Sequence, residues 1–153
     1  MSNINPNTIE GYLNYCIKMF YLDLLTKYNF KLVTKNIEGM GGLYQYENEY
    51  LSFQIINDRG VVDGMLAPLN NTSIYYDLGL LYGLIYIKQN PDCNQWDKQL
   101  ALTKNLSCAE ESAFVDANYN LLKDMFSAEK FSETQSELKM IGSERAAFLF
   151  GKS

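Results

Sequence analysis

The pattern of apolar and polar positions divides the chain into a helical start, a run of short strands and a helical second half. Between residues 9 and 25 large apolar side chains recur every three or four positions, which is the spacing of an amphipathic helix. Asn5 and Pro6 are expected to open this long N-terminal helix, because asparagine caps helices and proline is tolerated in the first turn. The helix should end near Tyr28 and Asn29.

From residue 30 the apolar period changes to two, which is typical of strands with one buried face. It predicts strands over residues 30–37, 43–47, 50–56 and 61–67, with a glycine-rich connection at residues 38–42. Pro68 lacks a backbone donor, so the last strand should stop at or just before it. Short consecutive strands with tight turns indicate a four-stranded antiparallel meander.

The strongest local signal is the Asn57-Asp58-Arg59-Gly60 segment between two of these strands. Asparagine and aspartate readily begin a type I turn, and Gly60 can adopt the positive φ that closes such a turn into a hairpin with a bulge. This segment therefore predicts the third and fourth strands as a hairpin.

The second half of the sequence predicts helices over residues 74–89, 94–104, 107–127 and 132–151. Ser107 and Glu110 have the spacing of a capping box, and Ser132 and Gln135 repeat it. Gly79 and Gly83 lie four residues apart and indicate close packing of the first of these helices. We expect one α+β domain over residues 1–153: a four-stranded antiparallel meander sheet, about 30–67, packed by the long N-terminal helix and by several C-terminal helices, about 74–151.

Composition and charge restrict the possible functions. The net charge is −5 and the pI is near 4.7, which disfavours nucleic-acid binding and weakly favours a cationic partner. The most apolar window, residues 78–87, is too short to span a membrane, and the N-terminal residues do not have the pattern of a secretion signal. Three widely spaced cysteines indicate reduced thiols, with Cys16 in the core. We expect a cytoplasmic protein that needs neither membrane nor nucleic acid.

Catalytic signatures are scarce. The chain contains no histidine, which removes the commonest general base and the usual metal ligand. Three pairs of carboxylates remain: Glu110 with Glu111, Glu47 with Glu49, and Asp58 with Asp63. The first pair is better explained by a helix N-terminus, where acidic groups favour the dipole. The glycine-rich loop leads into a strand rather than a helix, so nucleotide binding there is not indicated. We expect no cofactor and no metal, and no catalytic residue is assigned.

Tyrosines and acids alternate around the second strand and the two turns that follow it. Tyrosine adds contact area at low entropic cost and keeps a polar tip, so tyrosine beside carboxylate is typical of protein-binding surfaces. The predicted partner-binding residues are Tyr44, Tyr46, Glu47, Glu49, Asp58 and Asp63. In the alternative interpretation the rings simply cover the sheet.

The order of elements resembles a known family. A long helix, a Tyr28-Asn29-Phe30 strand entry, the Asp58-Arg59-Gly60 turn and a Tyr76-Asp77-Leu78 helix start together resemble small α+β immunity proteins of bacterial polymorphic toxin systems. The resemblance covers residues 9–87 and leaves residues 90–153 outside it. It implies a cytoplasmic, non-enzymatic protein that neutralises a cognate toxin by binding it. The acidic, tyrosine-rich surface predicted above would then fit a basic toxin domain as the partner. The family pattern fixes no functional residues that can be transferred.

Two alternatives to a protein-binding module remain open. A small enzyme would use carboxylates or Cys108, whose place near a helix N-terminus can lower a thiol pKa. A self-associating, homodimeric or ligand-binding module would use the tyrosines at positions 75, 76, 82 and 86. Several acids and a thiol converging inside a deep, water-shielded cleft would overturn the proposition that this protein acts through surface complementarity.

Overall fold

The computed structural model describes residue 5 and residues 7–151; Pro6, predicted to open the first helix, lies outside the described residues. The fold is α+β, with a five-stranded antiparallel sheet in the order β1-β2-β3-β4-β5. The helices are α1 (Ile9–Cys16), α2 (Leu22–Lys27), α3 (Leu78–Gln89), α4 (Gln95–Leu102), α5 (Cys108–Met125) and α6 (Phe131–Phe150). The strands are β1 (Lys31–Glu38), β2 (Gly41–Glu47), β3 (Leu51–Asp58), β4 (Val61–Pro68) and β5 (Tyr76–Asp77).

The sequence predicted one continuous N-terminal helix. The structure instead divides it by a π-helical turn over Ile17–Tyr21. Thr8, rather than Asn5, caps its start by accepting a hydrogen bond from the Gly11 amide at 3.0 Å. The wider turn holds one more residue than an α-helical turn, and two consecutive side chains, Cys16 and Ile17, are both buried beside it. The same turn ends at Tyr21, which is fully buried.

The sheet contains the four predicted strands and a fifth that the sequence pattern did not indicate. β5 has only two residues, which pair with Met65 and Leu66 of β4. These two residues were predicted as helix; α3 starts only at Leu78, where Asp77 accepts a hydrogen bond from the Leu80 amide at 2.8 Å. Gly41 and Gly42, predicted as loop, pair with β3 as part of β2. β4 ends at Pro68, as expected.

The β3–β4 hairpin is confirmed, but its turn is tighter than predicted. Asp58 pairs directly with Val61, so only Arg59 and Gly60 form the loop. Both have positive φ, 53° and 94°, which is typical of a two-residue type I′ turn rather than a type I turn with a bulge. The Asn57 side chain stabilises this turn by accepting a hydrogen bond from the Gly60 amide at 2.8 Å.

The described helices pack against one face of this sheet, which we call the covered face. Phe53 is fully buried there, with its ring edge-to-face against Tyr21 at 6.0 Å and against Phe30 at 5.8 Å. α1 crosses β2 and β3 on this side, where a Cβ on Gly42 would meet Ile9 and Leu13 at 3.1 and 3.3 Å. We call the opposite side of the sheet the open face.

The helical second half agrees with the sequence at most of its caps. The Ser107–Glu110 capping box is present, and Asn94 caps α4. The second predicted capping box is wrong, because α6 starts at Phe131 and Ser132 lies inside it. A Cβ on Gly83 would lie 2.8 Å from Leu102, so the predicted close approach is made by α4. No described helix has the length and apolar content needed to cross a membrane.

Candidate functional site

The two predicted tyrosines lie on the covered face and not on a free surface. Tyr44 is 4% exposed, and its hydroxyl donates to Asn14 of α1 at 2.5 Å. Tyr46 is half-buried beside the core, and burial raises its pKa to about 12. Strand alternation explains both positions, because Tyr44 and Tyr46 pair with the buried Ile55 and Phe53. These positions agree with the alternative interpretation, in which the rings cover the sheet.

Three of the four predicted acids lie on the opposite side of the sheet, whereas Glu49 lies near Lys123 and Tyr119 of α5. Glu47 and Asp63 lie on the open face, and Asp58 lies at its hairpin end. Asp58 is well exposed, with the guanidinium of Arg59 3.9 Å away. Glu49 is exposed in the β2–β3 turn, at the opposite end of the strands from Asp58.

The open face consists of cross-strand rows that the pairing register defines. One row runs Asn36, Leu43, Ile56, Asp63, and the next runs Thr34, Gln45, Gln54, Met65. Leu43, Ile56 and Met65 are half-buried although none of the helices in the described part of the chain packs on this face. At one end the face is covered by Tyr75, whose hydroxyl lies 2.7 Å from that of Ser52.

Acidic groups dominate the rim of this face. Glu38, Glu47, Asp58 and Asp63 belong to it by register. Its described cations are Lys31, directly opposite Glu47, and Arg59, whose guanidinium is 3.9 Å from Asp58. Glu47 also accepts a hydrogen bond from Gln45 at 3.0 Å. The open face is thus a partly apolar surface with a mostly negative rim.

A second feature, which sequence reasoning missed, is the buried carboxyl of Glu111. Its exposure is 3%, and its Oε1 accepts hydrogen bonds from the Tyr21 hydroxyl at 2.5 Å and from the Gly64 amide at 2.8 Å. β5 pairs with β4 only at Met65 and Leu66, so the edge of β4 before them has no partner strand. Cys108, one turn before Glu111, donates to the Val62 carbonyl at 3.4 Å. The start of α5 therefore satisfies the open edge of β4.

Glu111 lines a cleft of about 320 Å³ between the edge of β4, the start of α3 and helix α6. Asp63 and Asp77 also line this cleft. Asp77 is paired with Arg145 through two hydrogen bonds of 2.8 Å each. Burial alone would raise the pKa of Asp77, but the bonded Arg145 and the Leu80 amide together hold it below its usual value.

The pKa of Glu111 is shifted in the opposite direction from that of Asp77, because no described lysine or arginine pairs with Glu111. Burial, together with the charge of Asp63 and a hydrogen bond to it, raises the pKa of Glu111 to about 8, although bonds from Tyr21 and Gly64 oppose the shift. Asp63 is exposed as a residue, yet desolvation of its carboxyl raises its pKa as well. Both shifts favour a protonated carboxyl in this pair, most of all at Glu111.

Cys108 does not have the lowered pKa that the enzyme alternative requires. Burial raises the pKa of this thiol, and the nearby Glu111 and Asp63 raise it further. The condition set against a purely surface-based function is met in part: three acids converge on a cleft, and a thiol lies one helical turn away. The thiol is protonated and bonded to backbone, so it is not an activated nucleophile.

Sequence reasoning assigned Glu110 and Glu111 together to the helix dipole. That explanation holds for Glu110, whose carboxylate accepts from the Ser107 amide at 3.0 Å. It is wrong for Glu111, which points into the protein. The signal was the helical period: Glu111 precedes the buried Phe114 and Val115 by three and four positions and so shares their face.

No protein-family model, curated protein or solved structure matches the chain. Within the described residues, no group of three or more cysteine and acidic side chains is arranged to hold a metal ion.

Proposed function

We propose that this protein is a non-enzymatic binding module that engages a basic protein partner through the open face of its sheet. The observation that carries the proposal is the uncovered central row of Leu43 and Ile56, flanked by acids. In an antiparallel sheet with one face in water, the side chains on that face are ordinarily polar. Paired aliphatic side chains in the middle of such a face are typical of a surface that becomes covered on binding.

The charge of the rim indicates the kind of partner. Glu38, Glu47, Asp58 and Asp63 surround the apolar row, and the whole chain carries a net charge of −5. A negative rim steers a positive surface toward the face and disfavours acidic partners. Among the partner-binding residues predicted from sequence, Glu47, Glu49, Asp58 and Asp63 suit this role, whereas Tyr44 and Tyr46 support the sheet from beneath.

The resemblance to small immunity proteins suggests what this partner does. A cytoplasmic immunity protein neutralises its toxin by covering it, and an acidic face without catalytic groups suits that task. We therefore propose a toxic basic domain, produced by the same cell, as the partner.

The proposal can be tested with two double variants of equal charge. The open-face variant carries Glu47→Lys and Asp58→Lys, and the control variant carries Asp92→Lys and Glu129→Lys, at exposed acids elsewhere. Each tagged protein is used for affinity capture from its native host, and captured proteins are quantified by mass spectrometry. We expect a basic protein that wild type and control capture and that the open-face variant loses.

The captured protein is then expressed alone and together with each variant. Growth arrest by the partner, relieved by wild type and control but not by the open-face variant, supports the immunity function. A partner that binds all three proteins equally would remove the open face from the proposal, and a harmless partner would remove the immunity function.

A further inference from the structure

The cleft beside Glu111 is continuous with the open face because Asp63 belongs to both. Asp63 ends the row that contains Ile56, and its carboxyl also lines the cleft at the edge of β4. A protein that covers the open face therefore meets the mouth of this cleft. At about 320 Å³, the cleft has room for a single long side chain.

The cleft lacks one positive charge. Asp77 is neutralised by Arg145, and Lys104 at the rim has its ammonium 3.6 Å from Glu110. No described lysine or arginine pairs with Asp63 or Glu111. Both hydrogen bonds that Glu111 accepts from the Tyr21 hydroxyl and the Gly64 amide go to Oε1, and the only other partner of its carboxyl is the carboxyl of Asp63, within the described chain.

A buried carboxyl without a cation is unusual, since acidic side chains are seldom fully buried unless they are paired. We propose that this cleft receives one cationic side chain, an ammonium or a guanidinium, from the protein that docks on the open face. The inference rests on the proposed function and identifies its central contact. Such a contact would be desolvated by the surrounding interface, which is the setting in which single charged anchors contribute most to affinity.

The same geometry links occupation of the cleft to proton release. Glu111 faces Tyr21 of the π-helical turn, Asp63 of β4 and Cys108 of its own helix, while Asp77, Arg145 and Lys104 lie around the cleft. A cation placed between Asp63 and Glu111 favours their ionised forms, so a proton leaves when the cation binds. Affinity for the cation should therefore rise between pH 6 and pH 8.

The first test uses side-chain analogues and the chain alone. Methylguanidinium and butylammonium chloride are titrated into isotopically labelled protein at constant ionic strength, and amide resonances are followed by NMR. The Gly64 amide, which donates to Glu111, is the reporter. We expect its resonance to shift with wild type and with Glu110→Gln, and not with Glu111→Gln.

The glutamine variant is a matched probe because its carbonyl oxygen can accept the same two hydrogen bonds without the charge. Its backbone spectrum away from the cleft shows whether the fold is kept. If Gly64 responds to neither analogue, or responds equally in Glu111→Gln, the cleft is not a cation site.

The second test uses the partner captured by the open face. Glu111→Gln should weaken that complex at least about tenfold, because removing one member of a desolvated charge pair leaves the other unpaired. Calorimetry in phosphate and in Tris should show proton release for wild type and for Glu110→Gln, but not for Glu111→Gln. Full binding by Glu111→Gln, with loss in the open-face variant, would overturn this inference and leave the proposed function standing. Full binding by both variants would overturn the proposed function.

Discussion

Burying the carboxyl of Glu111 destabilises the folded protein when this group is ionised. No lysine or arginine of the described chain pairs with it to offset that effect. Its two hydrogen bonds, from Tyr21 and Gly64, hold the carboxyl between α5 and the edge of β4. They would be made equally well by the carbonyl of a glutamine. A chain selected for stability alone would not require an acid at this position, which agrees with a role in binding.

This destabilisation should appear as a dependence of stability on pH. Glu111 has a pKa near 8 in the folded protein and near 4.5 when unfolded, so between these values the unfolded state binds fewer protons. Its contribution therefore makes the free energy of unfolding fall as pH rises from 5 to 8, by up to about 1.4 kcal/mol per pH unit. Glu111→Gln should remove this slope and be the more stable protein at pH 8, as measured by urea unfolding at several pH values.

Glu110→Gln provides the comparison for that series. The Ser107 amide holds the pKa of the exposed Glu110 below its usual value, so its contribution is present at neutral pH and is lost in acid. Glu110→Gln should therefore show the same fall in the free energy of unfolding between about pH 5 and pH 8 as the wild type. A slope that survives in Glu111→Gln would show that another group is responsible.

Two helical glycines give opposite expectations for the same substitution. A Cβ at Gly83 would meet a Leu102 side-chain carbon at 2.8 Å and its Cα at 3.4 Å, whereas a Cβ at Gly142 would meet nothing within 4 Å. Gly83→Ala should destabilise the protein by about 1–3 kcal/mol through overpacking of α3 on α4. Gly142→Ala should stabilise it by about 0.5–1 kcal/mol, since alanine favours a helix interior. Thermal unfolding of both variants measures the contrast, and equal shifts would contradict it.

Among the elements, two helix starts show that the same local sequence spacing can form a cap in one place and not in another. Ser107 and Ser132 have the same capping-box spacing, yet only Ser107 bonds to the backbone three residues on, at 3.2 Å. Residues 127–130 form a hydrogen-bonded turn, and α6 therefore starts at Phe131, one residue before Ser132. A spacing rule cannot distinguish these cases, because it does not contain the path by which the chain enters the helix.

Removing each hydroxyl should reveal this difference. Ser107→Ala should lower the free energy of unfolding by about 1 kcal/mol, because it leaves the Glu110 amide without its cap. Ser132→Ala should change it by less than about 0.5 kcal/mol, since this hydroxyl caps no helix. Urea titration of the two variants provides the measurement. A loss on Ser132→Ala as large as that on Ser107→Ala would contradict the assigned start of α6.

The elements predicted well are those that local periodicity determines. β1 to β4 and the Arg59-Gly60 hairpin follow from alternation and turn chemistry. The π-helical turn and β5 do not, because each depends on a distant partner. Ile17–Tyr21 widens where the helix packs on the core and on α5, and Tyr76–Asp77 becomes a strand only because β4 offers an unpaired edge.

For the molecule as a whole, the sequence indicated an acidic binding surface but not which side of the sheet would carry it. Alternation alone placed Tyr44 and Tyr46 on a common face, which α1 then covers. The acids lie on the opposite face of the sheet, against which no described helix packs. The Glu111 cleft is lined by residues of β4, β5 and all four helices of the second half, so no local pattern could indicate it.

A whole-molecule test separates the placement of charge from its amount. Glu47→Lys with Glu49→Lys changes the net charge of −5 by as much as Asp92→Lys with Glu129→Lys does. If long-range attraction depends on the acids around the open face, the first pair should slow association with the basic partner by about tenfold or more at low salt and flatten its salt dependence, while dissociation changes less. The second pair should leave the association rate within about twofold. Stopped-flow measurements at several salt concentrations decide between the two. Equal slowing by both pairs would mean that net charge alone draws the partner in, and unchanged rates in both would remove the Glu47 and Glu49 side of the face from the encounter.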